Sequence, residues 1–471
     1  MRFGRFKKLY FVFLTACRLM SGVKTGPVST STDSPVGLGE ALTFYMHRVR
    51  FLTCSDDSLP LAPDLSSLFD ILCVSLPTPH LFPNLRNLRW IFYESPYLSQ
   101  VSLLLSPTIT HIALGSFHSI FHFTMLPPLA LKCPSLTHVE LIQEDESEGA
   151  SSVSSFVCGL KRIQSLELDH LDQSAFDHLS YLRYLRTLTL GKPEVFEPNG
   201  SSTRNPHKNT FRSLRALRLE EAPSQSIFAF ICSLSRCPLE SLEIDIDQRP
   251  DDGLMKKINV ALKIHLPPAS LTKLCITNVL EPAQKSPIGI ETLRYLFHFK
   301  NLTHMELRLA MAIHVDDDAV LSLAGAWPHL RHLVLSSTVS DDPPRRPTLH
   351  SLVFLAHRCP HLERLEMSID ASQVPKMDNS VPRRVLQYAL VAWDVANSSI
   401  ESPLPVARFL SGLFPKLTIL GTDDIWDEEV SDRWIDVEDA LPICHEMREE
   451  ERYWQQQVPC DRPHRESSVE V

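Results

Sequence analysis

A chain of 471 residues in which 44% are hydrophobic has enough apolar side chain to bury large cores, which excludes wholesale disorder. Its formal net charge of −10 argues against a general attraction to nucleic-acid phosphates. Glycine is scarce, at 15 residues, so phosphate-cradling loops are disfavoured, whereas 35 prolines suit a chain punctuated by helix ends.

Residues 1–40 differ in character from the rest of the chain. Arg2, Arg5, Lys7 and Lys8 precede the apolar run from Leu9 to Cys17, and a Ser/Thr/Pro/Gly-rich stretch continues to Val36. The order resembles a short signal peptide, but Arg18 interrupts it and no clean cleavage site follows. A disordered or misannotated start is the expectation.

From 41 to 422 a Leu-x-x-Leu-x-Leu frame recurs. Its first apolar position falls at Val49, Leu85, Ile109, Leu136, Ile163, Leu185, Leu214, Leu239, Leu271, Leu302, Leu330, Leu362, Val385 and Leu417. The mean step of roughly 28 residues lies in the leucine-rich-repeat range. Several frames share a lead-in of a bulky or thiol residue followed by proline, as in Phe82-Pro83, Cys133-Pro134, Trp327-Pro328, Cys359-Pro360 and Phe414-Pro415. Alternate residues of a strand share a face, so the last two apolar positions of each frame point inward together and the residue between them points out. One repeat buries too little by itself. The pattern predicts an α/β leucine-rich-repeat solenoid, a horseshoe with parallel strands on its concave face and helices on its convex face.

The returning segments predict helices over 224–236, 348–358 and 403–414, each with an apolar stripe at helical spacing. Asp172 or Ser174 is expected to cap one helix and Asp316 or Asp317 another. Polar insertions at 192–210, 337–347 and 372–382 read as loops. Over 423–456 acids outnumber bases, with Trp426, Trp434, Ile435, Leu441, Met447, Tyr453 and Trp454 interspersed, and this reads as an acidic, partly helical cap on the last repeat. Residues 457–471 are expected to be a disordered tail.

The 11 cysteines are odd in number and scattered through the repeats. Cys133, Cys237 and Cys359 occupy one helix-to-strand slot in different repeats, which suits small buried thiols in a reducing compartment, cytoplasmic or nuclear. Secretion is the alternative. His357-Arg358-Cys359-Pro360-His361 lacks the second pair that a structural zinc site needs, and His445-Glu446 lacks a second histidine four residues on. No phosphate loop, dinucleotide fingerprint or nucleophile elbow occurs, so no enzyme activity, cofactor, catalytic residue or metal is expected.

The outward position of the frame holds Arg89, Ala113, Glu140, Glu167, Thr189, Arg218, Glu243, Cys275, Glu306, Val334 and Glu366. Two residues earlier, His111, His138, His304 and His332 recur, preceded by Thr or Arg. Polar residues here serve at least to solvate an open sheet. They also make the candidate ligand-binding face, with Glu140, Glu167, Glu243, Glu306 and Glu366 as a row suited to a protein partner with a basic surface.

The frames and their Cys-Pro lead-ins resemble the leucine-rich-repeat arm of F-box proteins. The run from Tyr45 to Leu52, from Leu81 to Trp90, from Leu105 to Ile112 and from Phe409 to Leu417, with Trp426 and the acidic tail, resembles the F-box-like families of mushroom-forming fungi. The resemblance spans about Leu42 to Trp454 and implies a substrate-recognition arm of a ubiquitin ligase adaptor. Such proteins normally begin with an F-box opening Leu-Pro-x-Glu, and nothing before Leu42 looks like one. A Skp-type adaptor and cullin are therefore implied only where an F-box precedes Met1. A secreted or surface leucine-rich-repeat receptor is the other reading, and neither nucleic acid nor membrane is expected as a partner.

Overall fold

The computed structural model describes residues 46–55, 80–91, 101–117, 120–143, 149–193, 210–234, 237–278, 287–337, 346–375, 386–422, 425 and 427–457. The expected N-terminal segment, most of each polar insertion, Trp426, Val385 and the tail beyond 457 lie outside them. The chain divides into two compact units, Met1–Leu239 and Glu240–Val471.

In the first unit the described strands are β1 (Phe51–Ser55), β2 (Asn87–Ile91), β3 (His111–Phe117), β4 (His138–Gln143), β5 (Ser165–Leu168), β6 (Thr187–Leu190) and β7 (Ala216–Ala222). They lie side by side in chain order, every pair parallel. The frame sets the register: Leu88 faces Ile112, then Val139, Leu166, Leu188 and Leu217 follow in one line. None of these six is more than 3% exposed. Parallel neighbours need a long crossover, and helices such as Ala150–Gly159, Gln173–Ser180 and Ser224–Ser233 provide it. Ser224–Ser233 turns Ile227, Phe230 and Ile231 inward at helical spacing. Phe230 then meets Phe176 of the helix Gln173–Ser180 edge-on, at 4.9 Å between ring centres. Of the two capping candidates Asp172 takes the position, accepting from the Ala175 amide at 2.9 Å, while Ser174 lies inside the helix.

In the second unit the described strands are β8 (Ser241–Ile246), β9 (Lys273–Thr277), β10 (Ile288–Gly289), β11 (His304–Leu309), β12 (Ile313–His314), β13 (His332–Ser337), β14 (Arg364–Met367), β15 (Asp370–Ala371), β16 (Ala392–Asp394), β17 (Ser399–Ile400) and β18 (Ile419–Gly421). The main sheet runs β8-β9-β11-β13-β14-β16-β18, and β10–β12 and β15–β17 form two short parallel pairs beside it. Asp316 caps the helix Asp317–Ala326 through the Ala319 amide, and Thr348 caps Leu349–Arg358. With its α/β crossovers and frame-aligned parallel strands, each unit is a leucine-rich-repeat solenoid.

One frame differs from the sequence expectation. The strand after β14 begins at Ala392, and its frame is Leu390-Val391-Ala392-Trp393-Asp394-Val395, not one opening at Val385. Leu390, Trp393 and Val395 are fully buried, and Trp393 pairs in register with Leu365. An indole in the slot that leucine fills elsewhere hid the frame.

The proline lead-in has a single backbone geometry. Cys133, Trp327, Cys359 and Phe414 end their helices at φ/ψ of −120/66, −125/68, −119/70 and −124/83. Each still donates its amide to the carbonyl four residues back, and the following proline drives it out of the helical region. The residue in this slot points into the core, where Trp327, Cys359 and Phe414 are wholly buried.

The helix Glu428–Gln457 follows β18, with Asp427 accepting from the Glu429 amide at its start. It buries Trp434, Val437 and Leu441. The Trp434 ring stands edge-on to Trp393 at 5.4 Å and donates from Nε1 to the Ser398 carbonyl at 3.0 Å. Glu438 accepts from the Leu420 amide at 3.1 Å, which satisfies a donor on the edge strand. Arg448 lies over Gly412, where a Cβ would come within 2.9 Å of its guanidinium, and binds Ser411 Oγ and the Arg408 carbonyl. No helix among the described residues is long and apolar enough to cross a membrane.

Candidate functional site

Because the frame aligns the inward residues, it also aligns the outward ones. In the first unit Arg89, Ala113, Glu140, Glu167, Thr189 and Arg218 face one another strand by strand. In the second, Glu243, Cys275, Glu306, Val334 and Glu366 do the same, and the row continues through Asp394 to Gly421. The nine candidate residues thus fall on two parallel rows in each unit. Asp394 escapes the sequence pattern because its frame does.

The glutamates are not a bare acidic stripe. Arg89 reaches across the small side chain of Ala113 to Glu140 at 2.9 Å. Lys273 holds Glu243 at 2.6 Å. Arg308 clasps Glu366 with two nitrogens at 2.5 and 2.6 Å and touches Glu306 at 3.0 Å, passing over Ser336. Cys275 donates its thiol to Glu306 at 3.4 Å. Lys273 and Arg308, absent from the sequence-derived set, therefore offset three of the five carboxylates. Their signal was available in the frame: each lies two residues from Cys275 or Glu306 along its strand, on the same face.

Glu167 is the exception, with no ion pair or hydrogen bond of its carboxylate among the described residues. Partial desolvation, and then the carboxylates of Glu140 and Glu220, hold its carboxyl above the usual range, against a smaller opposing pull from Arg218. Arg218 itself pairs with Glu220 at 2.7 Å. Surface pairs such as these contribute about 0–1 kcal/mol each. Their effect is on field: the row is a mosaic of charges in which Glu167, of the five glutamates, has no matching cation in contact among the described residues.

The histidines form two stacks. The rings of His111 and His138 lie 4.1 Å apart and nearly parallel, and those of His304 and His332 lie 4.4 Å apart. Thr110, Thr137 and Thr303 each place their hydroxyl 2.8–2.9 Å from Nδ1 of the next histidine. Each hydroxyl also donates its one proton to a carbonyl of the preceding coil. The hydroxyl must then accept from the ring, so Nδ1 carries the hydrogen in His111, His138 and His304, and a neutral ring keeps Nε2 as acceptor.

Desolvation, and then the neighbouring His111, lowers the pKa of His138. Desolvation followed by His332 and Lys273 lowers that of His304, and desolvation lowers that of His332 against an opposing pull from Glu363. A histidine depressed in the folded state binds its proton more readily unfolded, so stability is full above about pH 6.5 and falls as pH drops through that value. Urea denaturation at neutral and mildly acidic pH should show this loss, and the His304→Gln/His332→Gln double variant should show less of it.

The repeated thiols are buried. Cys237 donates to the Leu214 carbonyl at 3.4 Å, and Cys359 to the Trp327 carbonyl at 3.5 Å. Burial pushes Cys237 and Cys359 up to about 12 and Cys133 to about 11. All three should resist iodoacetamide in the native protein and react only after denaturation, and mass spectrometry of alkylated peptides reads this directly.

Compared with known proteins, this chain matches no protein-family model and no curated protein. Among solved structures it is similar to a leucine-rich-repeat protein of Leptospira interrogans, at 16% identity and a TM-score of 0.43, over 88% of this chain and 99% of that one. It is also similar to a chain of the yeast Rad7 and Elc1 complex, at 17% identity and a TM-score of 0.37, over 89% of this chain and 95% of that one.

Proposed function

We propose that the chain is a protein-binding scaffold that captures a partner on the outward strand rows of its sheets. The observation that supports this is the alignment of charged and hydrogen-bonding side chains, from Arg89 to Arg218 in one unit and from Glu243 to Asp394 in the other, in register along parallel strands. A partner carrying Lys or Arg would gain charge-assisted hydrogen bonds at Glu167 and steering from the acids around it.

Photo-crosslinking residues placed at Thr189 and Val334 test the reading, with Leu131, an 84% exposed helix residue, as control. One protein crosslinked from the strand positions and not from Leu131 is the expected result. Equal crosslinking from all three, by variants that fold, would count against it.

Within this reading, the finer role is the substrate-recognition arm of an F-box-type ubiquitin ligase adaptor, with a Skp-type adaptor and a cullin as further partners. It rests on the sequence resemblance and on buried thiols that suit a reducing compartment. A transcript extending upstream of Met1 decides it: an F-box in frame supports the role, and a stop codon close before Met1 removes it.

A further inference from the structure

The strands β5, β6 and β7 are entered through three successive turns, residues 160–164, 181–186 and 211–215. Relative to the frame residues Ile163, Leu185 and Leu214, equivalent positions hold Lys161, Arg183 and Arg212, then Arg162, Tyr184 and Ser213, then Gln164, Arg186 and Arg215. Backbone bonds set them on adjacent coils. The Arg186 amide donates to the Gln164 carbonyl at 2.7 Å, the Arg215 amide to the Arg186 carbonyl at 2.7 Å, and Ser213 Oγ to the Arg183 carbonyl at 2.6 Å. Three coils at strand spacing gather these six cations into a patch roughly 10 Å wide.

None of the three turns contains an acid, and all six cationic residues are exposed, as are Tyr181 at 52% and Tyr184 at 57%. On the strand rows Arg89, Lys273 and Arg308 are each held by a carboxylate. In the turns Lys161, Arg162, Arg183 and Arg186 pair with none among the described residues, and Arg215 donates to the Pro238 carbonyl. Lys161, Arg162, Arg183 and Arg186 thus hold four like charges together with no counter-charge among the described residues, which raises the local potential that an anionic ligand relieves.

Arginine forks bind carboxylate and phosphate groups bidentately, and flanking tyrosine rings add flat contact area. The patch spans only three coils, and the strands it leads into present Glu167 and Glu220, with Asp169 just past the end of β5. In a chain of net charge −10, this surround repels a long polyanion and leaves room for a short acidic segment. We propose that the turns entering β5, β6 and β7 dock a short peptide segment rich in Asp, Glu or phosphoserine on a partner protein. This surface is separate from the strand rows, and it stands or falls independently of the function proposed for them.

The test is fluorescence anisotropy of the full chain with a short labelled peptide of alternating Glu and Gly, the same peptide with one phosphoserine, and an oligouridine of equal length. Wild type should bind both peptides, more weakly as salt rises, and the Arg183→Gln/Arg186→Gln double variant should lose about tenfold or more in affinity. Lys256→Gln, an exposed lysine on the helix Asp252–His265 of the other unit, should bind as wild type. Circular dichroism checks that the double variant folds, and Arg162→Gln serves in its place if it does not. Unchanged binding by the folded charge-loss variant overturns the proposal, as does tighter binding of oligouridine than of either peptide.

Discussion

Leu217→Asp is expected to cost several kcal/mol and to unfold the block of strands around β7 at physiological temperature. Leu217 is 1% exposed and sits between Leu188 and the core side of its own crossover, where a carboxylate finds neither water nor a cation. Leu217→Ala separates the charge from the cavity: it should cost about 2–5 kcal/mol and leave the strand in place. Urea denaturation gives both values, and amide hydrogen exchange should show β5, β6 and β7 losing protection together in the Asp variant. An Asp variant as stable as the Ala variant would mean that the side chain reaches water, which the stacked frames do not permit.

Trp434→Ala is expected to destabilise the second unit by about 3–5 kcal/mol, the usual cost of removing a buried indole. It removes the edge-on contact with Trp393 and the hydrogen bond to the Ser398 carbonyl, and it loosens the helix whose Glu438 satisfies the Leu420 amide. Trp454 lies on the same helix and is 63% exposed, so Trp454→Ala should change stability by less than about 0.5 kcal/mol. The comparison of two tryptophans on one helix, read from urea midpoints, isolates burial from residue type. Equal effects would mean that the helix does not pack on the end of the sheet through Trp434.

The repeated frame alone carried the strands, their inward residues and the outward row from Arg89 to Glu366. That is because strand periodicity is two and each coil repeats the same burial demand, so a local pattern of leucines dictates both faces at once. The proline lead-ins were legible for the same reason, since each acts within a few residues of chain, and so were the two capping sites, although the structure chose Asp172 over Ser174 and Asp316 over Asp317. The frame around Trp393 was not legible, because an indole filling a leucine slot is recognised only when Leu365 and Leu420 are seen beside it. Nor was the pairing of the glutamates. Arg89 and Glu140 are 51 residues apart, and Arg308 and Glu366 are 58. Whether a carboxylate in the row is matched or open depends on a cation one or two coils away and on how small the intervening side chain is, as at Ala113 and Ser336. Those distances in space are set by stacking, so the sequence determined which residues face outward, and only the tertiary structure decided that Glu167 and the arginines entering β6 meet no counter-charge among the described residues.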